Sequence, residues 1–153
     1  MKYFAYGSNM LQGRLEDQKN VRDESIGSVQ DIGTASLPDY RLVFNKIGKK
    51  DGISGKANIV QEQGAETLGV VYELSNEQIN LLDSIEGKGY KRIPVGINFN
   101  GEQLEIDTYV AQANSVQEGL SPTREYLNFV IQGAVIHGFP EAYVSFLRSI
   151  KVQ

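Results

Sequence analysis

Residues 26–112 read as strand after strand, broken by a single helix, and that succession limits the folds open to the chain. Residues 26–36 and 40–45 carry strand patterns, with Leu37-Pro38-Asp39 between them as a turn signal. Residues 57–61 and 67–74 are strand-like as well. Val70, Val71 and Tyr72 form an unbroken apolar run, as expected of a strand covered on both faces. Two further strands, 90–98 and 103–112, flank Asn100-Gly101, a strong signal for a two-residue hairpin turn. Pro94 puts part of the first at an edge or a bulge. Adding the alternating residues Tyr3 to Tyr6 gives about seven strands, most of them consecutive. A doubly wound sheet needs a helix between successive strands, so this order predicts an α+β fold.

Helices frame that sheet. Ser75-Asn76-Glu77-Gln78 fits a capping box with Ser75 as N-cap, and Leu74 and Ile79 stand where a hydrophobic staple puts them. The apolar stripe Ile79, Leu82 predicts a helix that stops near Gly87. Near the C-terminus, Ser121-Pro122 reads as an N-cap followed by proline at the first helical position. Tyr126, Phe129, Val130, Gly133 and Ile136 then share one helical face. His137-Gly138-Phe139-Pro140 is a stop signal, and Pro140 starts a last helix carrying Tyr143, Val144, Phe146, Leu147 and Ile150. No linker or repeat divides the 153 residues, so a single domain over 1–153 is expected.

Several chemistries are excluded at once. The chain has no cysteine, which removes disulfides, thiolate metal sites and a cysteine nucleophile, and leans toward a cytoplasmic location. One histidine, His137, argues against a histidine-built metal centre or a Ser-His-Asp triad. A net charge of −4 with scattered basic residues argues against nucleic acid as the main partner. Lys2 is followed by no long apolar run, so neither a signal peptide nor a membrane span is expected.

Two places carry candidate chemistry. In the first, the strand at Tyr3 to Tyr6 breaks at Gly7, and a helix-like pattern begins after Ser8-Asn9 with Met10, Leu11 and Leu15. Backbone N–H groups at such a junction bind anions, carboxylates included. Asn9 is a good N-cap candidate and Gly7 gives the turn its freedom; a capped turn with no ligand is the plainer reading. The second place is Glu86. At 100° per residue it returns to within about 20° of Ile79, so a carboxylate falls on the buried stripe and in the last helical turn. Burial and the helix dipole both favour its neutral form, which moves its pKa toward the range of a general base. The alternative is a helix that ends early, leaving Glu86 in solvent or paired with Lys88, Lys91 or Arg92.

Other features have plainer accounts. Residues 46–56, rich in Gly and Lys, read as an exposed loop whose lysines could attract an anionic ligand, although a solvated charge run is the plainer account. His137 is expected to interact with a helix end, and the aromatics Tyr126, Phe129, Tyr143 and Phe146 to fill the core. Tyr90 and Tyr109 offer hydroxyls beside the proposed site, although packing explains them equally.

Taken together, Tyr3-Phe4-Ala5-Tyr6-Gly7-Ser8-Asn9, the strand at 67–74, Leu82-Asp83 followed by Glu86-Gly87, and the helices from Pro122 to Leu147 resemble the γ-glutamylcyclotransferase family. The YGSN loop and the LD-x-x-EG segment are the most specific parts. Gly133-Ala134 and Gly138-Phe139-Pro140 before Tyr143 are similar to the family pattern too.

The resemblance implies a small mixed β-barrel with flanking helices and a ligand cavity beside the loop. It implies an enzyme of the lyase or acyltransferase type that converts a γ-glutamyl amino acid or amine into 5-oxoproline and the free amino acid or amine, chemistry that touches glutathione metabolism. Glu86 would be the catalytic acid/base. Tyr3, Tyr6, Gly7, Ser8 and Asn9 would hold the glutamyl moiety, and Tyr109 falls where the family places a tyrosine near the substrate. Because the glutamyl α-amine is itself the nucleophile, no metal or cofactor is required. The only partner implied is the small-molecule substrate, without nucleic acid or membrane, and a homodimer stays open because relatives include dimers. Two other readings stay open: a non-catalytic binding module for an acidic metabolite, and a hydrolase on the same scaffold.

Overall fold

Strand β1 (Lys2–Ala5) runs through the middle of the molecule, and everything near the cavity is placed by what pairs with it. The computed structural model describes residues 1–153. Antiparallel to β1 lies β3 (Gly55–Glu73), with Tyr3 opposite Tyr72 and Ala5 opposite Val70. Next come β2 (Gln30–Ile47), β4 (Tyr90–Phe99) and β5 (Glu102–Ala111), and β5 returns to β1 in parallel at Tyr3 and Asp107. The order β1-β3-β2-β4-β5 thus closes into a mixed five-stranded barrel. Four helices accompany it: α1 (Gln12–Glu16), α2 (Asn76–Glu86), α3 (Arg124–Ile136) and α4 (Glu141–Arg148).

Five strands stand where seven are expected, because two expected breaks are not ends. Leu37 and Pro38 stay paired, to Thr67 and Glu66, and only Asp39 lies opposite residues 62–65 in the β2–β3 ladder, where pairing passes from Pro38–Glu66 to Tyr40–Gln61. Asp39 adopts φ +64°, Gly64 adopts φ +85°, and the Gly64 amide donates to Asp39 Oδ1 at 2.9 Å. Both strands bend at the same point and continue. Such irregularities add twist and curvature, which a small closed barrel needs. The hairpin at Asn100-Gly101 forms as expected, with φ +50° and +79°, both central residues left-handed as a type I′ turn requires.

The capping box of α2 is complete. The Gln78 amide donates to Ser75 Oγ at 3.1 Å and the Ser75 amide to Gln78 Oε1 at 2.9 Å. Ile79 and Leu82 are buried on the stripe, as their spacing predicts. The start of α3 differs from expectation. Thr123, not Ser121, is the N-cap, its hydroxyl accepting from the Tyr126 amide at 3.1 Å. A hydroxyl on the residue just after the proline reaches the free amides just as well. His137 caps the other end of α3 as expected, with Nδ1 2.7 Å from the Gly133 carbonyl and Nε2 2.7 Å from Asp31.

Phe4, Val70, Val71, Tyr72, Leu82, Leu127, Val130 and Leu147 form the middle of the core, essentially shielded from water. Close approach explains one glycine of the C-terminal pattern. A Cβ on Gly133 would come within 2.6 Å of Met10 Cβ, so α3 presses directly on the turn that follows β1. No helix is long and apolar enough to cross a membrane.

Candidate active site

A cavity of about 500 Å³ opens where the end of β1, the C-terminus of α2, the β2–β3 turn and the start of α3 meet. Its first wall is the turn after Tyr6. Ser8–Met10 is a short 3-10 turn with Gly7 as N-cap, leading into α1. Gly7 is needed for space rather than for a left-handed backbone: its φ is −112°, and a Cβ there would lie 2.9 Å from Ala57 Cβ. The amides of Gly7, Ser8 and Asn9 have no backbone carbonyl as acceptor, whereas those of Met10 and Leu11 bond back to Gly7 and Ser8. Tyr72 Oη donates to the Met10 carbonyl at 3.0 Å and pins the far side of the turn.

Asn9 does not act as the expected N-cap. Its Nδ2 donates to Tyr3 Oη at 3.0 Å, and its Oδ1 accepts from Gln18 Nε2. The side chain therefore ties the turn to β1 and to the segment after α1, because the chain enters 3-10 geometry two residues early and Gly7 takes the cap position.

Glu86 closes α2 and faces this cavity. Burial raises its pKa above the usual 4.5, and Lys49 and Lys46 oppose that rise from a distance. It forms no ion pair, so the alternative pairing with Lys88, Lys91 or Arg92 does not occur; Arg92 binds Asp83 and Asp107 instead. Gly87 continues in right-handed geometry, its amide donating to the Asp83 carbonyl at 2.8 Å, and a Cβ there would lie 2.7 Å from that same oxygen.

Tyrosines surround the carboxyl. Tyr3, Tyr6, Tyr90, Tyr109 and Tyr126 all line the cavity. Tyr6 Oη donates to the Tyr109 carbonyl at 2.5 Å, and Tyr90 Oη to the Ala57 carbonyl at 2.8 Å. Tyr109 Oη donates to Asp83 at 2.6 Å, and its ring meets Tyr3 edge-on at 5.6 Å. Burial, reinforced by the charge of Glu86, raises the pKa of Tyr3, Tyr6, Tyr90 and Tyr126, so these phenols stay neutral. Tyr126 was expected in the core alone. It is buried, yet its hydroxyl accepts from the Ala57 amide at 3.1 Å and its ring forms part of the cavity wall beside Phe129.

The lysine-rich segment departs most from expectation. It is the turn of the long β2–β3 hairpin rather than a free loop, held by Asp51, whose carboxylate accepts from the amides of Ile53 and Ser54 and from Ser54 Oγ. Those bonds keep the Asp51 pKa down at about 2. Pairing of Lys46 with Val116 and of the Gly55 amide with the Ser121 carbonyl holds this turn at the cavity, and Lys46, Lys49, Lys50 and Lys56 line it together with Arg14. No group of three or more His, Cys, Asp and Glu side chains is gathered to hold a metal ion.

Residues 66–147 match the model of the AIG2-like family, which covers more than half of the chain. The chain belongs to the AIG2-like family. Relatives named gamma-glutamylcyclotransferase from Bos taurus and Homo sapiens are each 29% identical over 153 residues, spanning 97% of this chain and 78% of theirs. A solved structure titled gamma-glutamyl cyclotransferase superposes with a TM-score of 0.84 at 29% identity, covering all of this chain and 89% of its own. YkqA from Bacillus subtilis shares the fold at 21% identity and a TM-score of 0.75, with this chain covering 56% of it. In this AIG2-like chain the matched span carries Glu86, Tyr90, Tyr109 and Tyr126, while the Tyr6–Asn9 turn lies before it and falls within the whole-chain likenesses.

Proposed function

We propose that this chain is a γ-glutamylcyclotransferase, which closes a γ-glutamyl amino acid or amine into 5-oxoproline and releases the amino acid or amine. The observation that carries the reading is that Glu86, a carboxyl of raised pKa, lines one cavity with the Gly7–Asn9 turn, whose amides have no backbone acceptor. The likeness to relatives of that name supports it.

The reaction needs little from the protein. The substrate α-amine attacks its own γ-carbonyl carbon, a C–N bond forms in the five-membered ring, and the amide C–N bond to the leaving group breaks. Holding the glutamyl chain in its ring-closing shape supplies much of the acceleration. The turn at Tyr6, Gly7, Ser8 and Asn9, with Tyr3 beside it, receives the glutamyl moiety. Glu86 takes a proton from the α-ammonium and delivers one to the leaving nitrogen, two roles that suit a carboxyl of raised pKa. Tyr109 serves through its ring and its carbonyl, which orients Tyr6, because its own hydroxyl is committed to Asp83.

A panel of γ-glutamyl amino acids and amines, with detection of both 5-oxoproline and glutamate, tests the proposal. 5-Oxoproline in step with the released amine is the expected result. Free glutamate as the sole product makes Glu86 a base for water and the chain a hydrolase; binding without any product reduces it to a carrier.

A further inference from the structure

Lys46 is a buried cation without a partner. It is 3% exposed, it lines the cavity, and no carboxylate lies within 4.0 Å of its ammonium. Its nearest favourable contact is the face of the Tyr90 ring, 5.0 Å from Nζ. Room for the ammonium is provided by Gly89, where a Cβ would fall 2.4 Å from Lys46 Cε and 2.7 Å from Nζ. An isolated buried ammonium is costly, and burial accordingly lowers the Lys46 pKa. Glu86 lies near enough to favour its charge, yet the two do not form a pair.

The surroundings extend the pattern. In a chain of net charge −4, the cavity is lined by Arg14, Lys46, Lys49, Lys50 and Lys56, none of them in an ion pair, against the carboxylates Asp51, Glu86 and Glu125. Asp51 is taken up by its own turn. Glu86 divides the site: its charge acts on Tyr3 and Tyr6 toward the N-terminal turn, and on Lys46 and Lys49 toward the hairpin turn. In the proposed reaction the leaving nitrogen must stand at Glu86 to be protonated. When the leaving group is an amino acid, its carboxylate is one carbon beyond that nitrogen, on the side away from the glutamyl chain.

We propose that Lys46, in the space left by Gly89, is the specificity-determining residue of a leaving-group subsite that reads a carboxylate, so that the enzyme prefers γ-glutamyl amino acids to γ-glutamyl amines. This rests on the cyclotransferase reading above. A charge-assisted contact in a dry pocket discriminates strongly, because the analogue lacking the anion leaves the ammonium buried and unpaired.

The test compares γ-glutamyl-alanine with γ-glutamyl-ethylamide, which differ only by the leaving-group carboxylate, in the full chain and in two variants. The expected kcat/KM of the unaltered protein favours γ-glutamyl-alanine by at least tenfold, and Lys46→Met brings the ratio close to one. Gly89→Ala keeps the lysine but displaces its flexible end, and is expected to shrink the ratio as well; it serves where Lys46→Met does not fold. A structural role for Lys46 would depress both substrates alike and leave the ratio intact. Equal rates on the two compounds in the unaltered protein, or a ratio preserved in the variants, overturns the subsite while the cyclotransferase reading stands. Absence of 5-oxoproline from both compounds overturns the two together.

Discussion

The acid/base role proposed for Glu86 requires a proton held loosely enough to move at the operating pH. Desolvation supplies that, and the lysines across the cavity limit it. As a base, Glu86 must be ionised in the free enzyme, so kcat/KM is expected to fall as pH drops through a value above 4.5, the ordinary position of a glutamate. Glu86→Gln is expected to lower kcat by about 10²–10⁴-fold while substrate still binds. Steady-state rates across pH, with binding measured by calorimetry, check both; a variant with most of its activity removes Glu86 from the mechanism. The same shift has a sign in stability. A carboxyl whose folded pKa is raised favours the fold fully below the unfolded value, and that contribution is lost as pH rises through the folded one. Glu86→Gln is therefore expected to melt at a higher temperature than the unaltered protein at pH 7, with the gap closing near pH 4. A lower Tm at pH 7 means the carboxyl was not held out of water.

The elements that bring these side chains together differ in how openly the sequence declares them. Helix α2 is declared by local chemistry: Ser75 and Gln78 exchange two hydrogen bonds with the backbone, and removing one is costly. Ser75→Ala is expected to lower stability by about 1 kcal/mol and to leave the cavity geometry in place. Urea denaturation checks this, and an unchanged midpoint shows that the staple and the buried Ile79 and Leu82 hold the helix alone. The Asn100-Gly101 hairpin is legible for the same reason, since two left-handed residues in a row admit few sequences. Pro38-Asp39 is legible only as an interruption. Whether an interruption ends a strand or bends it depends on what stands opposite, and here the extra residues 62–65 face it across the ladder. The lysine segment misleads in a related way. Solvation is the sound expectation for charges in a Gly-rich loop, but the segment after β5 holds this turn at the cavity, Lys46 pairing with Val116 and the Gly55 amide donating to the Ser121 carbonyl, partners too distant in the chain for a local pattern to reveal. Tyr126 has a helical spacing that fits core and cavity wall alike.

At the scale of the whole molecule, the site exists because the barrel closes beside α2. The seam is Tyr3 opposite Asp107, and Arg92 of β4 reaches its β5 side. Its Nη1 is 2.9 Å from Asp107, on the seam, and its Nε is 3.0 Å from Asp83, one turn before Glu86 on the helix. Asp83 also accepts the Tyr109 hydroxyl, so one guanidinium connects the closing strand, the helix bearing Glu86 and the tyrosine whose carbonyl holds Tyr6. These groups are partly exposed, and ion pairs of that kind contribute no more than about 1 kcal/mol to stability. Position is another matter, since a displacement of about 1 Å at a reacting group can cost on the order of a hundredfold in rate. Arg92→Gln is therefore expected to change the melting free energy by less than about 1 kcal/mol while lowering kcat about tenfold, with a smaller effect on KM because the Gly7–Asn9 turn is held independently by Tyr72 and Gly133. Restoring the charge with Arg92→Lys is expected to recover only part of the rate, as an ammonium cannot address both carboxylates with a planar fork. If kcat is unchanged in Arg92→Gln, the direction of Glu86 is set by the packing of Ile79 and Leu82, and closure of the barrel matters to the fold but not to the chemistry.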